Sequence, residues 1–215
     1  MSPTALLTSF AAGMACGFVV SIPVGPVNLA VINTALQRGF LRAFLVGLGA
    51  IAAETVYATA SLAGHSTIGE WPVARYLLRV TAVVVIAGVG LRALRFKEER
   101  AEAADAATVQ RADQRWHHPR AFMFGFFLTI SNLMLVVLWA TLAAVLFAHD
   151  WVQPELPSRA ACAAGVLAGG SLWFLLLAHF VAHAHRRVSP RTLTLLVRAC
   201  GVVFLGCAAL LAYHL

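Results

Sequence analysis

Ser21-Ile22-Pro23-Val24-Gly25-Pro26-Val27-Asn28-Leu29 interrupts an apolar run that extends over residues 5–36. Pro23 removes a backbone donor and clashes with the preceding turn. Gly25 opens dihedrals closed to other residues. Pro26 suits the first position of a new helix, where a missing N–H is no loss. The stretch therefore predicts a helix that stops, unwinds and restarts. Its flanks are apolar, so the break falls at membrane depth, where irregular backbone persists only if protein buries it or a cavity solvates it. A restarting helix aims free N–H groups and a partial positive charge into that space. Gly25 and Pro26 are thus candidate binding residues for a carboxylate; the plainer alternative is a simple kink.

Outward from this stretch the chain is apolar throughout. Of its 215 residues 60% are hydrophobic and only 12% charged, about half the share usual in soluble domains. Its mean hydropathy is +0.82. A chain this short cannot hide so much apolar surface inside itself, so lipid must cover part of it. Crossing the bilayer core takes roughly 20 apolar residues, and runs of that kind fall at 5–36, 40–64, 73–94, 121–148, 160–182 and 192–213. The expected fold is an all-α integral membrane protein of six transmembrane helices in a single domain, 1–215. A first repeat of three spans covers 5–94, a mixed-charge cytoplasmic connector 95–120, and a second repeat 121–213.

Gly17-Phe18-Val19-Val20-Ser21-Ile22 in the first span resembles Gly125-Phe126-Phe127-Leu128-Thr129-Ile130 in the fourth, half the chain away. Three spans per copy is an odd number, so the second copy would be inserted upside down. Such inverted repeats recur in secondary transporters, with the site at the midplane. If the spans alternate, one face carries Arg38, Arg42, the basic residues within 92–120, Arg186, Arg187 and Arg191. The other carries only Arg75, Arg79 and Arg159. The basic face belongs in the cytoplasm, which places both termini outside. The net charge of +7 is accounted for by these loops and does not call for nucleic acid.

Glu54 is the acidic residue well inside a span. A charge there costs roughly 2.5–3.5 kcal/mol on insertion scales and faces the bundle interior or water. Gly47, Ala50, Tyr57, Ala58 and Ser61 share its helical face, which reads as a cavity wall rather than a lipid face. Glu54 can hold a cationic group of a substrate or carry a coupling proton, with Tyr57 beside it; the bland alternative is a packed, protonated acid. Asn28, in the first turn of the restarted helix, and Asn132, near the middle of the fourth span beside Thr129 and Trp139, can donate and accept. Either reads a substrate or serves as interhelical glue. Arg198 is best read as snorkelling to the cytoplasmic face, with a counter-ion role for Glu54 as the alternative. His179 and His183 are spaced for a metal but lack a sequence-local carboxylate or Cys, and an interfacial cluster is the better reading. The four cysteines lie in apolar runs without a CxxC pair. Gly13 with Gly17, and Gly165 with Gly169, allow close helix contact, within the bundle in preference to a homodimer. No nucleophile–base pair or phosphate-binding glycine loop is present in the sequence, so neither catalytic residue, metal site nor cofactor is assigned.

These residues resemble the lysine exporter (LysE/RhtB) family of amino-acid efflux proteins. The resemblance rests on Pro23-Val24-Gly25-Pro26-Val27-Asn28-Leu29, on Gln37-Arg38-Gly39, and on Gly49-Ala50-Ile51-Ala52-Ala53-Glu54. The last stands where the family has Gly-Ala-x-x-Gly-Asp. In the fourth helix the family's Asn-Pro-Lys is reduced to Asn132-Leu133-Met134, which leaves open whether that helix is broken and whether substrate or a charge of the transport cycle changes with it. The resemblance implies a bacterial inner-membrane protein exporting amino acids or related small molecules, coupled to a proton or ion gradient as in a secondary antiporter. Gly25, Pro26, Asn28, Glu54, Tyr57 and Asn132 would line the substrate site, with Glu54 also coupling. The rivals are a divalent-metal exporter, which needs more midplane ligands than Glu54 supplies, and a non-transporting scaffold or thiol redox carrier.

Overall fold

The computed structural model describes residues 2–23, 25–68 and 118–183, with isolated helical positions between 80 and 94 and between 198 and 209. The expected third and sixth spans and residues 95–117 of the connector otherwise lie outside the described residues. Every element among the described residues is a helix. In chain order these are α1 (Pro3–Ser21), α2 (Pro26–Arg38), α3 (Phe40–Ile68), α4 (His118–Ile130), α5 (Leu133–Ala148) and α6 (Leu156–His183).

Helix boundaries follow local chemistry. Ser2 caps α1, its side chain accepting from Ala5 N at 3.3 Å, with proline in the first turn. The expected break is present: α1 ends at Ser21, and α2 restarts at Pro26 from Gly25 in extended backbone. α2 ends at Gly39, whose φ of 80° and ψ of 177° lie in a region open essentially only to glycine. Gly39 N–H reaches Ala35 O at 3.1 Å, and α3 starts at the next residue. α4 begins at His118, inside the stretch expected to be connector.

Leu133 and Met134 leave open whether the fourth span is interrupted, and the structure shows that it is. Its two halves, Pro119–Ile130 and Met134–Ala148, are bent by 74° about Ser131-Asn132. No proline is needed, because short polar side chains compete with the helix backbone. Ser131 Oγ donates to Phe127 O at 2.7 Å, and Asn132 Oδ1 accepts from Met134 N at 3.2 Å. Among the described residues Pro3–Ser21, Phe40–Gly64 and Leu156–His183 are long and apolar enough to cross a membrane, and the bent pair adds a fourth where its two helices are counted as one span. Leu7, Val56, Leu156 and Phe180 project large apolar side chains outward, as lipid contact requires.

Glycine sets the packing. A Cβ at Gly13 would strike the Cys162 carbonyl, and one at Gly17 the Val166 carbonyl. From the other side, Cβ atoms at Gly165 and Gly169 would meet the Phe10 and Met14 carbonyls. These two small-residue pairs are therefore used against each other within the bundle, locking α1 alongside α6 in parallel. A second parallel interface is built the same way between α3 and α4. A Cβ at Gly125 would strike the Val46 carbonyl, and one at Gly49 the Phe122 carbonyl and Phe126 N. Met14, Gly17 and Phe18 of α1 thus correspond to Phe122, Gly125 and Phe126 of α4. Val46 and Gly49 of α3 correspond to Val166 and Gly169 of α6. Gly47 meets Phe174, and Gly170 meets Ile51, so α3 and α6 run antiparallel between the two interfaces. At one end, Ser9 Oγ bonds Ser158 Oγ at 2.7 Å and Trp151 O at 3.0 Å, tying α1 to the loop before α6.

Gly17→Ala and Gly125→Ala are each expected to destabilise the detergent-purified protein by about 1–3 kcal/mol through overpacking against backbone. Gly64→Ala, where a Cβ meets nothing within 4 Å, is expected to be neutral or stabilising by up to ~1 kcal/mol. Thermal unfolding of the three variants checks this; equal effects would contradict it.

Candidate functional site

The first break is tied by one side chain. A helix end leaves carbonyls without partners, and inside a membrane water does not supply them. Asn28 Nδ2 reaches back to donate to Ser21 O at 2.9 Å and Pro23 O at 2.7 Å. Its Oδ1 accepts from Trp173 Nε1 of α6 at 3.1 Å, and Trp173 packs edge-on against Phe18. Asn28 is buried, with both amide donors and one oxygen lone pair engaged in this knot. Trp173 was not legible as part of the site. Its only signal was an indole in mid-span, which needs an acceptor somewhere.

The second break is tied from the neighbouring helix. Tyr57 Oη donates to Ile130 O, the last carbonyl of α4. Asn132 is exposed and caps α5. Because the helix restarts there, Asn132 does not continue the face of Thr129 and Trp139 that an unbroken helix would give it. Gly25 carries no side-chain cap on α2, a Cβ there would meet nothing within 4 Å, and Pro26 is exposed. The start of α2 is thus open space.

Glu54 lies on the buried face of α3 with Gly47, Ala50 and Ala58, as the helical spacing predicts. It is 6% exposed, and its Oε2 has no hydrogen-bond partner. Such an atom needs an explanation. Arg198 is exposed, which agrees with snorkelling. His183 Nδ1 bonds His179 O at 2.9 Å, and His179 stands edge-on to Phe40. Among the described residues no three His, Cys, Asp or Glu side chains cluster, so the divalent-metal alternative finds no support in them. Cys16 and Cys162 are thiols in α1 and α6; Cys200 and Cys207 lie outside the described residues.

Long apolar helices, two interrupted stretches and a buried acid on the helix between them are the architecture of a multi-pass membrane protein. The chain belongs to the LysE type translocator family, which it matches over residues 18–215. It is 24% identical over 162 residues to the "Putative amino acid efflux protein YcgF" of Bacillus subtilis (strain 168), covering 75% of each chain. It is 26% identical over 205 residues to the "Chemotactic transduction protein ChpE" of Pseudomonas aeruginosa, covering 95% of this chain and 98% of that one. No solved structure matches.

Asn28→Ala strands the Ser21 and Pro23 carbonyls and the Trp173 N–H, each orphan costing about 1–3 kcal/mol. Asn33→Ala, on the same helix but bonded only to Gln37, is expected to change stability by less than ~0.5 kcal/mol. Chemical denaturation in detergent separates the two, and a tolerated Asn28→Ala would refute the knot.

Proposed function

We propose that this protein exports amino acids, or related small zwitterionic or cationic metabolites, from the bacterial cytoplasm by alternating access driven by a proton or ion gradient. One observation carries the reading: Glu54 is buried and unpartnered on α3, the helix whose Tyr57 ties one break and whose Ile51 meets Gly170 beside Ser21 at the other. A zwitterion places its ammonium on Glu54 and its carboxylate toward the open start of α2 at Gly25 and Pro26. Protonation of Glu54 from outside removes the ammonium's partner and favours release and return.

Two inverted three-span halves give this cycle its moving parts. The matching registers of α1 on α6 and α4 on α3 support that architecture. So does the position of the second break, which follows Ile130 as the first follows Ser21-Ile22. The basic loop faces favour a cytoplasmic Arg38–Gly39 turn and outward termini. The relative named for amino acid efflux agrees with the substrate class. The relative named for chemotactic transduction raises a signalling role, but an orphaned midplane acid is costly to keep and answers to a solute.

Efflux of amino acids from preloaded cells tests the reading. Glu54→Gln is expected to lower gradient-driven efflux at least about tenfold, the scale of losing one charge-assisted contact. Wild-type rates in that variant would rule out the assigned role.

A further inference from the structure

Glu54 is not alone in lacking a partner. Thr129 Oγ1 and Trp139 Nε1 are also buried without a hydrogen bond, in side chains only 1% and 2% exposed. Register brings Glu54 and Thr129 together, and packing puts Trp139 in the core that surrounds Glu54. A Cβ on Gly125 would lie 3.1 Å from Ala50 N, so α3 and α4 touch there in parallel. Glu54 is one turn beyond Ala50, and Thr129 one turn beyond Gly125, on the same faces. Trp139 of α5 belongs to the buried cluster of Ala50 and Ala58, which flank Glu54 on its own face. The adjacent Leu138 packs against Val19 and Val20 near the end of α1, so α5 borders both the Glu54 face and the first break.

The equivalent positions of the α1–α6 interface carry no such orphans, although Arg159 Nε, near the start of α6, is a fourth buried polar atom without a partner. Ser21 stands where Thr129 stands, and its Oγ donates to Gly17 O at 2.8 Å. The counterpart of Glu54 is Phe174, an apolar side chain 1% exposed. At these matched positions one interface holds a self-bonded hydroxyl and an apolar ring, while the other side keeps an acceptor, a hydroxyl and a donor unpaired. Orphans of this kind are rare in native interiors.

We infer that Thr129 and Trp139 complete the polar set of the substrate site with Glu54. The Glu54 carboxylate and a Thr129 Oγ lone pair receive the ammonium of a zwitterion, and the Trp139 indole N–H donates to one oxygen of the carboxylate that the start of α2 attracts. This rests on the transport reading and sharpens it: the side chains that address the solute are these three, while Asn28 and Tyr57 hold the breaks open. Trp139 also makes the site selective for a carboxylate, since an indole N–H can only donate.

The test uses inside-out membrane vesicles containing the full-length protein. Each of the labelled proteinogenic amino acids is offered singly, and the decarboxylated amine of each accumulated one serves as competitor. Thr129→Val and Trp139→Phe are expected to raise KM about tenfold. Trp139→Phe should also remove most of the preference for the amino acid over its amine. Thr129→Ser should restore wild-type KM, and the thermal midpoint of Thr129→Val should equal or exceed wild type, since an unpaired polar atom has been deleted. Wild-type KM in both Thr129→Val and Trp139→Phe, with Glu54→Gln impaired, would overturn this inference and leave the transport reading standing. Failure of Thr129→Ser to recover would likewise overturn it, marking a packing defect. No accumulation of any amino acid by the wild type would remove both.

Discussion

Backbone polar groups inside a bilayer must find partners within the protein, and this fold turns on how two interrupted helices meet that demand. At the first break the Asn28 amide gathers the carbonyls of Ser21 and Pro23 and is itself held by Trp173. At the second, Tyr57 on α3 takes the carbonyl of Ile130. Each break is stabilised by a side chain that also links elements: α2 to α6 in one case, α3 to α4 in the other. The breaks are therefore part of the packing, and opening either one changes a helix contact as well as a helix end.

Glycine makes these links short enough. The α1–α6 and α3–α4 interfaces bring backbone against backbone at Gly17, Gly49, Gly125 and Gly169, a closeness that apolar association in lipid relies on. The two interfaces diverge in polarity. Phe174 and a self-bonded Ser21 occupy one interface, and Glu54 with an unbonded Thr129 occupies the other. In the proposed site, that difference leaves unpaired polar atoms for a solute.

Much of this was legible in the sequence. Pro23, Gly25 and Pro26 announce the first break through backbone sterics alone, and the position of Glu54 on a small-residue face follows from helical spacing. The second break was not legible by the same rule, since Leu133 and Met134 are good helix residues. It arises from Ser131 and Asn132 competing for backbone groups and from Tyr57 reaching across from another helix, a tertiary contact that no local pattern encodes. For the same reason the roles of Asn28 and Asn132 were open at the sequence level. An amide can bind a solute or a carbonyl equally well, and only the placement of neighbouring carbonyls decides. Thr129 and Trp139 drew notice as sharing a face with Asn132, but the helix bend puts them on separate helices, α4 and α5, with Asn132 capping the second.

The central claim is that the buried face of Glu54 opens to water on both sides of the membrane during a cycle. A chain with Cys16, Cys162, Cys200 and Cys207 replaced by alanine and Ala58→Cys introduced reports on it directly, since Ala58 lies one turn from Glu54 and is 1% exposed. A membrane-impermeant thiol reagent should label that cysteine in both right-side-out and inside-out vesicles, and a transported amino acid should slow the labelling. A cysteine at 58 that reacts from neither side, with or without amino acid, would contradict it.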